Sequence, residues 1–162
     1  MLEAQAHHQI KTLLRQEESD WPHHLTLSRL VARSLRRRDT TLVQLPPNSS
    51  ERWWLGLLVP LCLAPEAGAL VLTPPQRRRL LQLELPRLRN QGLRLPCWQG
   101  PKPPEGPQLW LMDVGELIQA HRDGHLGQRQ LLIPEMDQLS RWMRNALALE
   151  IEHQHWDELR QA

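Results

Sequence analysis

Residues Thr40 to Pro60 read TTLVQLPPNSSERWWLGLLVP, and the interpretation of this stretch decides the fold. Thr41 to Leu45 predicts a short strand, the Pro and Ser run after it a turn, and the residues from about Glu51 a helix. Strand, loop and helix in that order set backbone N–H groups and a helix N-terminus at the carboxyl edge of an α/β sheet, where phosphate is usually held. A P-loop needs glycines to wrap the phosphates, a lysine to meet their charge and a Ser or Thr for magnesium. The loop Pro46, Pro47, Asn48, Ser49, Ser50, Glu51, Arg52 has no glycine and no lysine. Asn48, Ser49, Ser50 and Arg52 remain as candidate nucleotide contacts. The same residues also make a plain turn with a serine cap and Glu51 complementing the helix dipole.

Upstream, Leu2, Ala6, Ile10, Leu13 and Leu14 recur at helical spacing, and Ser19 to Pro22 ends that helix. A second helix follows, with Thr26 as its N-cap, Leu27, Leu30, Val31 and Leu35 on one face, and Arg29, Arg33 and Arg36 to Arg38 on the rest. Downstream of Glu51 the helix is apolar nearly all round, so it should be buried, and Pro60 should kink or end it near Val59.

Ala69 to Thr73 is an apolar run without alternation, as expected for a parallel strand covered on both faces. Pro74 and Pro75 open a helix to about Leu85, Pro86 restarts it, and Gly92 ends it. Leu93 to Trp98, Leu109 to Met112 and Gln130 to Ile133 predict three more strands. Gly100 to Gln108 is an exposed Pro and Gly loop, Val114 to His121 a short helix ending near Gly124, and a last helix starts at Pro134. It carries Met136, Leu139, Trp142, Met143, Ala146 and Leu147 on one stripe, and the tail from Glu150 to Arg160 is expected to be helical. Strands alternating with helices predict a three-layer α/β domain with a mostly parallel sheet and helices on both faces.

A chain of 162 residues is long enough to bury about two thirds of its unfolded surface. With no Phe or Tyr and seven Trp, its core rests on leucine. The net charge of only +2 imposes no global field, but arginines cluster at Arg36 to Arg38 and at Arg77 to Arg79. Such clusters suit phosphate or carboxylate recognition, or else form a solvated helix face. Cys62 and Cys97 form no CxxC pair, which speaks for free thiols in a reducing, cytoplasmic setting. No run is long and apolar enough for a membrane span. The histidine pairs match no zinc spacing, so no metal site is expected. Glu135 and Asp137 stand after the last strand, where carboxylates hold magnesium or orient water in nucleotide hydrolases, or simply suit a helix dipole.

Taken in order, LTLSRLVARSL, TLVQLPPNSSERWWLGLLVP, ALVLTPPQRRRLLQLELPRL, LWLMDVGELI and RQLLIPEMDQL resemble the first motor domain of superfamily 2 DNA helicases, most closely the DinG type. The likeness covers about Leu25 to Leu149. It implies a RecA-like fold with residues 1–24 as an N-terminal helix and connection, 25–149 as the motor domain and 150–162 as a helical tail. It also implies ATP and magnesium as cofactors and single-stranded DNA as partner, with a second motor domain or a protein as a further one. Thr73, Gln76, Arg77, Arg78 and Arg79 match the motif that faces the nucleic-acid backbone, IPEMDQL stands in the DEAH position, and Glu135 matches the catalytic glutamate. The sequence departs from the family at the ATP chemistry: the phosphate-binding glycines and lysine have no counterpart, Pro134 replaces the metal-binding Asp, and the four-cysteine cluster of many relatives is absent. The expectation is a nucleic-acid-associated domain with a degenerate nucleotide site. The alternatives are part or a divergent form of an ATP-dependent DNA helicase, and a structural or protein-interaction domain.

Overall fold

The structure, a computed structural model, describes residues 1–17, 21–47, 49 and 51–148. Asn48, Ser50 and the expected helical tail lie outside the described residues.

Four parallel strands form one sheet in the order β2-β3-β1-β4, with β1 Gly68–Val71, β2 Cys97–Trp98, β3 Leu109–Met112 and β4 Gln130–Leu132. β1 is central, with Leu70 opposite Leu111 on one side and Leu132 on the other. β1 and β3 are buried at every position, the reason their sequences run apolar without alternation. Leu70, Leu72, Leu109 and Leu111 belong to one core, while Ala69, Val71, Trp110 and Met112 belong to a second on the opposite face.

Three N-terminal helices, α1 Leu2–Glu17, α2 His24–Arg37 and α3 Trp54–Leu63, pack on one another and feed the first core. A Cβ on Gly56 would stand 2.9 Å from the Leu27 side chain, so the glycine is what lets α3 approach α2. Helix α2 starts at His24 rather than after Thr26, and α3 starts at Trp54 and runs through Pro60 to Leu63. Pro60 stands inside the helix and forgoes one bond, to Gly56 O, yet the helix runs on to Leu63 instead of ending near Val59.

The expected strand Thr41–Leu45 has no regular secondary structure and belongs to no ladder among the described residues. Val43 and Leu45 pack against the first core, whereas Leu42 is 82% exposed. The strand-like alternation is therefore present without its pairing partner.

The helix after β1 is continuous from Pro74 to Asn90, in three parts: α4 Pro74–Arg79, a π-bulge Leu80–Glu84, and α5 Leu85–Asn90. Pro86 has no N–H for an i→i−4 bond, and the bulge just before it, closed by Leu85 N–H donating to Leu80 O, absorbs the clash. This replaces the expected break and restart. Gly92, at φ 75°, ends the helix, with Leu93 N–H reaching back to Leu88 O. Helix α6, Val114–Arg122, returns from β3 to β4, and α7, Leu139–Leu147, packs beside it.

The two helical crossovers run in opposite directions across the sheet and lie over opposite cores, as a single crossover hand requires. Between β2 and β3 the connection is the proline loop alone. Two tryptophans pin it: Trp98 Nε1 donates to Lys102 O at 2.8 Å and Trp110 Nε1 to Gly100 O at 2.9 Å. At the amino edge, Arg129 donates to the carbonyls of Glu66, Gly68 and Gln108 at 2.9, 3.4 and 3.1 Å. Partial burial lowers its guanidinium pKa from the usual arginine range. Among the described residues no helix is long and apolar enough to cross a membrane.

Candidate functional site at the carboxyl edge of the sheet

Because β1, β3 and β4 are parallel, the loops that follow them leave the same edge. These loops begin at Leu72, Asp113 and Ile133, so Thr73–Gln76 and Pro134–Asp137 lie on one edge together. The segment before α3 joins them through an ion pair between Glu51 and Arg79.

Two helices start at this edge with the same local device. Thr73 caps α4: its Oγ1 accepts from Gln76 N–H at 3.4 Å while Gln76 Oε1 accepts from Thr73 N–H at 3.0 Å. Asp113 caps α6: its Oδ1 accepts from Glu116 N–H at 2.8 Å and Glu116 Oε2 accepts from Asp113 N–H at 2.6 Å. The polar atoms of Thr73 and Gln76 are thus engaged in capping. The second box was legible as D-x-x-E before an apolar run, although its residues were not singled out from sequence.

The three consecutive arginines differ sharply. Arg77 is ion-paired with Glu116, which ties the start of α4 to the start of α6. Arg79 donates through Nε to Glu84 at 3.0 Å and through Nη1 to Glu51. Arg78 is exposed and paired with no described residue. The sequence suggests three guanidiniums free to meet phosphate; the fold leaves one unpaired among the described residues. Glu84, fully buried on the π-bulge, also accepts from Arg87 at 3.4 Å. Nothing in the sequence marked it, since one Glu among leucines and arginines reads as a surface residue.

Pro74, Arg77, Arg78, Leu81 and Asp113 line a shallow depression of about 340 Å³. Its two guanidiniums offer charge-assisted hydrogen bonds to an extended anion, while its breadth and openness suit a chain running across it better than an enclosed small molecule.

The nucleotide candidates are more dispersed. Ser49 is buried, with its backbone N–H bonded to Pro46 O at 3.3 Å and its hydroxyl unpaired among the described residues. Arg52 is exposed. Glu135 adopts a left-handed backbone at φ 56° with its side chain in solvent, and Asp137 is also exposed, accepting from Gln138 Nε2 at 2.7 Å. Neither carboxylate pairs with the other two loops among the described residues. No group of three His, Cys, Asp or Glu side chains suited to a metal comes together among the described residues.

The two thiols are far from this edge chemistry. Burial pushes Cys62 and Cys97 each up to about 12. The Cys62 thiol is also raised by its proximity to Cys97.

No protein-family model, curated protein or solved structure matches the chain.

Proposed function

We propose that the chain is a RecA-like, helicase-type domain that holds the backbone of single-stranded nucleic acid at the carboxyl edge of its sheet and does not hydrolyse ATP on its own. The observation that carries this reading is the gathering of Pro74, Arg77, Arg78 and Asp113 around one open depression at the carboxyl ends of adjacent parallel strands. Carboxyl edges of this kind are where α/β sheets bind ligands, and a guanidinium pair suits phosphodiester oxygens. Binding here would be electrostatic and indifferent to base sequence, because phosphate contacts position a strand without reading it.

The absence of turnover follows from the same edge. The loop before α3 has neither glycine nor lysine, and Pro134 stands where the metal-binding Asp of the resembled motif would be, next to the exposed Glu135. Removing such charge stabilisation typically raises a phosphoryl-transfer barrier by several kcal/mol. ATP and magnesium become relevant only if the helicase resemblance extends to function. The test is ATP hydrolysis by purified protein with and without single-stranded DNA. Turnover that disappears in Glu135→Gln would overturn the reading and favour a divergent ATP-dependent helicase.

A protein-interaction role has its own support at β4, the edge strand of the sheet among the described residues. Leu131 is 41% exposed there, Met136 in the 3-10 turn before α7 is 48% exposed, and α7, with Met143 and Leu147 at 36% and 52%, has no buried residue. An edge strand with no ladder partner on its outer side among the described residues, beside exposed apolar side chains, suits a polypeptide partner, a second motor domain included.

A further inference from the structure

We infer that Glu51 is an internal competitor for the phosphate-binding edge: its carboxylate occupies the outward side of Arg79, and a nucleic-acid phosphate takes that guanidinium only by displacing it. The inference deepens the proposed function and rests on it.

The two carboxylates on Arg79 are not equivalent. Glu84 is 1% exposed and holds Nε at 3.0 Å, fixing the guanidinium from the protein side. Glu51 is 60% exposed and reaches Nη1 from solvent. An exposed ion pair is weak, so the outer contact exchanges readily while the inner one persists. The result is an arginine preorganised by a buried partner and capped by a labile one.

Glu51 is also held in a left-handed backbone at φ 61°, a conformation that non-glycine residues adopt only under strain. Its contact with Arg79 opposes that strain, so release of the carboxylate meets little resistance from the loop. Glu116 offers a contrast on Arg77. Its Oε2 also closes the α6 capping box at 2.6 Å from Asp113 N–H, so that pair is structural and does not open at the same expense.

Displacement needs no chemistry beyond anion exchange. Arg79 keeps its bond to Glu84 and trades one carboxylate oxygen for one phosphodiester oxygen, adding its charge to those of Arg77 and Arg78. Before displacement the edge presents a reduced positive field; after it, one more phosphate contact.

The experiment measures binding of a labelled oligothymidylate by anisotropy between about 50 and 200 mM salt. It compares wild type with Glu51→Gln, Glu51→Gly and Asp39→Asn. Asp39, exposed and 3.8 Å from Arg37, gives the same change in net charge away from Arg79. Glu51→Gln should tighten binding about two- to fivefold, the worth of one exposed ion pair, and steepen the log–log salt dependence by about 0.7, one added contact on a single strand. Glu51→Gly, which also relieves the left-handed strain, should gain at least as much, and Asp39→Asn should do neither.

Equal gains in Glu51→Gln and Asp39→Asn would reduce the effect to net charge and overturn the competitor. So would a gain in Glu51→Gly alone, which would assign it to loop conformation. If wild type binds and Arg78→Ala weakens it while Glu51→Gln leaves it unchanged, the competitor fails and the proposed function stands. If no variant binds at the lowest salt, both fail.

Discussion

Arg79 and Glu84 meet across the π-bulge, Nε to Oε1 at 3.0 Å, with the carboxylate only 1% exposed. The bulge that Pro86 imposes brings an acidic residue five positions on into line with the arginine, and Arg87 completes its shell at 3.4 Å. A buried carboxylate is tolerated only when so paired. Arg79→Ala should therefore destabilise the domain by about 2 kcal/mol, since Arg87 stays behind to limit the loss. Urea denaturation of the variant checks this, and an unchanged midpoint would mean that Glu84 finds compensation elsewhere.

Arg129 anchors the opposite edge. It serves three carbonyls at the start of β1 and before β3, so Arg129→Ala should lower stability by about 1–3 kcal/mol through unsatisfied acceptors. Oligothymidylate binding per folded molecule should not change. Loss of binding in a variant that is still folded would contradict the assignment of the two edges.

How far the sequence foretold these features depends on how locally each is determined. The central strands were legible because β1 and β3 are apolar at successive positions, the pattern of a strand covered twice. Proline and glycine located the proline loop and the ends at Gly92 and Gly124. Thr41–Leu45 has the residues of a strand, but pairing is a property of neighbours: Gln130 of β4 reaches Asp39 O just before the segment at 3.1 Å, and no ladder with it forms among the described residues. Likewise Pro86 forecasts a disturbance without saying whether the helix breaks or takes up an extra residue. Of the candidate site, the shared edge followed from parallel topology. The unequal fates of Arg77, Arg78 and Arg79 did not, because their partners Glu116, Glu84 and Glu51 lie on three separate segments.

Alkaline stability should expose the buried thiols. Burial raises Cys62 and Cys97 to about 12 in the fold, against about 8.5 in an unfolded chain. Below the unfolded value both states keep their protons. As pH rises from there towards 12 the unfolded state loses them first, so stability falls across that window. With no Tyr in the sequence to titrate there, Cys62→Ala/Cys97→Ala should lose much of this pH dependence in denaturation midpoints between pH about 8 and 11. A slope identical to wild type would remove the thiols as its source.

On β4, the edge strand of the sheet among the described residues, Leu131→Lys should leave the unfolding free energy within about 0.5 kcal/mol of wild type, as expected for an exposed side chain. A charge on an edge strand discourages strand addition, so any concentration-dependent self-association seen by sedimentation should diminish. Association unchanged by this substitution would place the contact elsewhere than the β4 edge.

The central claim, that the carboxyl edge carries nucleic-acid backbone without ATP, is tested most directly by the salt dependence of oligothymidylate binding in wild type and Arg78→Ala, each with and without ATP and magnesium. Arg78 is exposed and unpaired among the described residues, so its removal should leave the fold intact. The account predicts binding at about 50 mM salt that weakens as salt rises. It predicts lower affinity in Arg78→Ala, a salt slope shallower by about 0.7, and no response to nucleotide in either protein. Equal affinity and slope in the two proteins, or no binding by wild type at low salt, would contradict it.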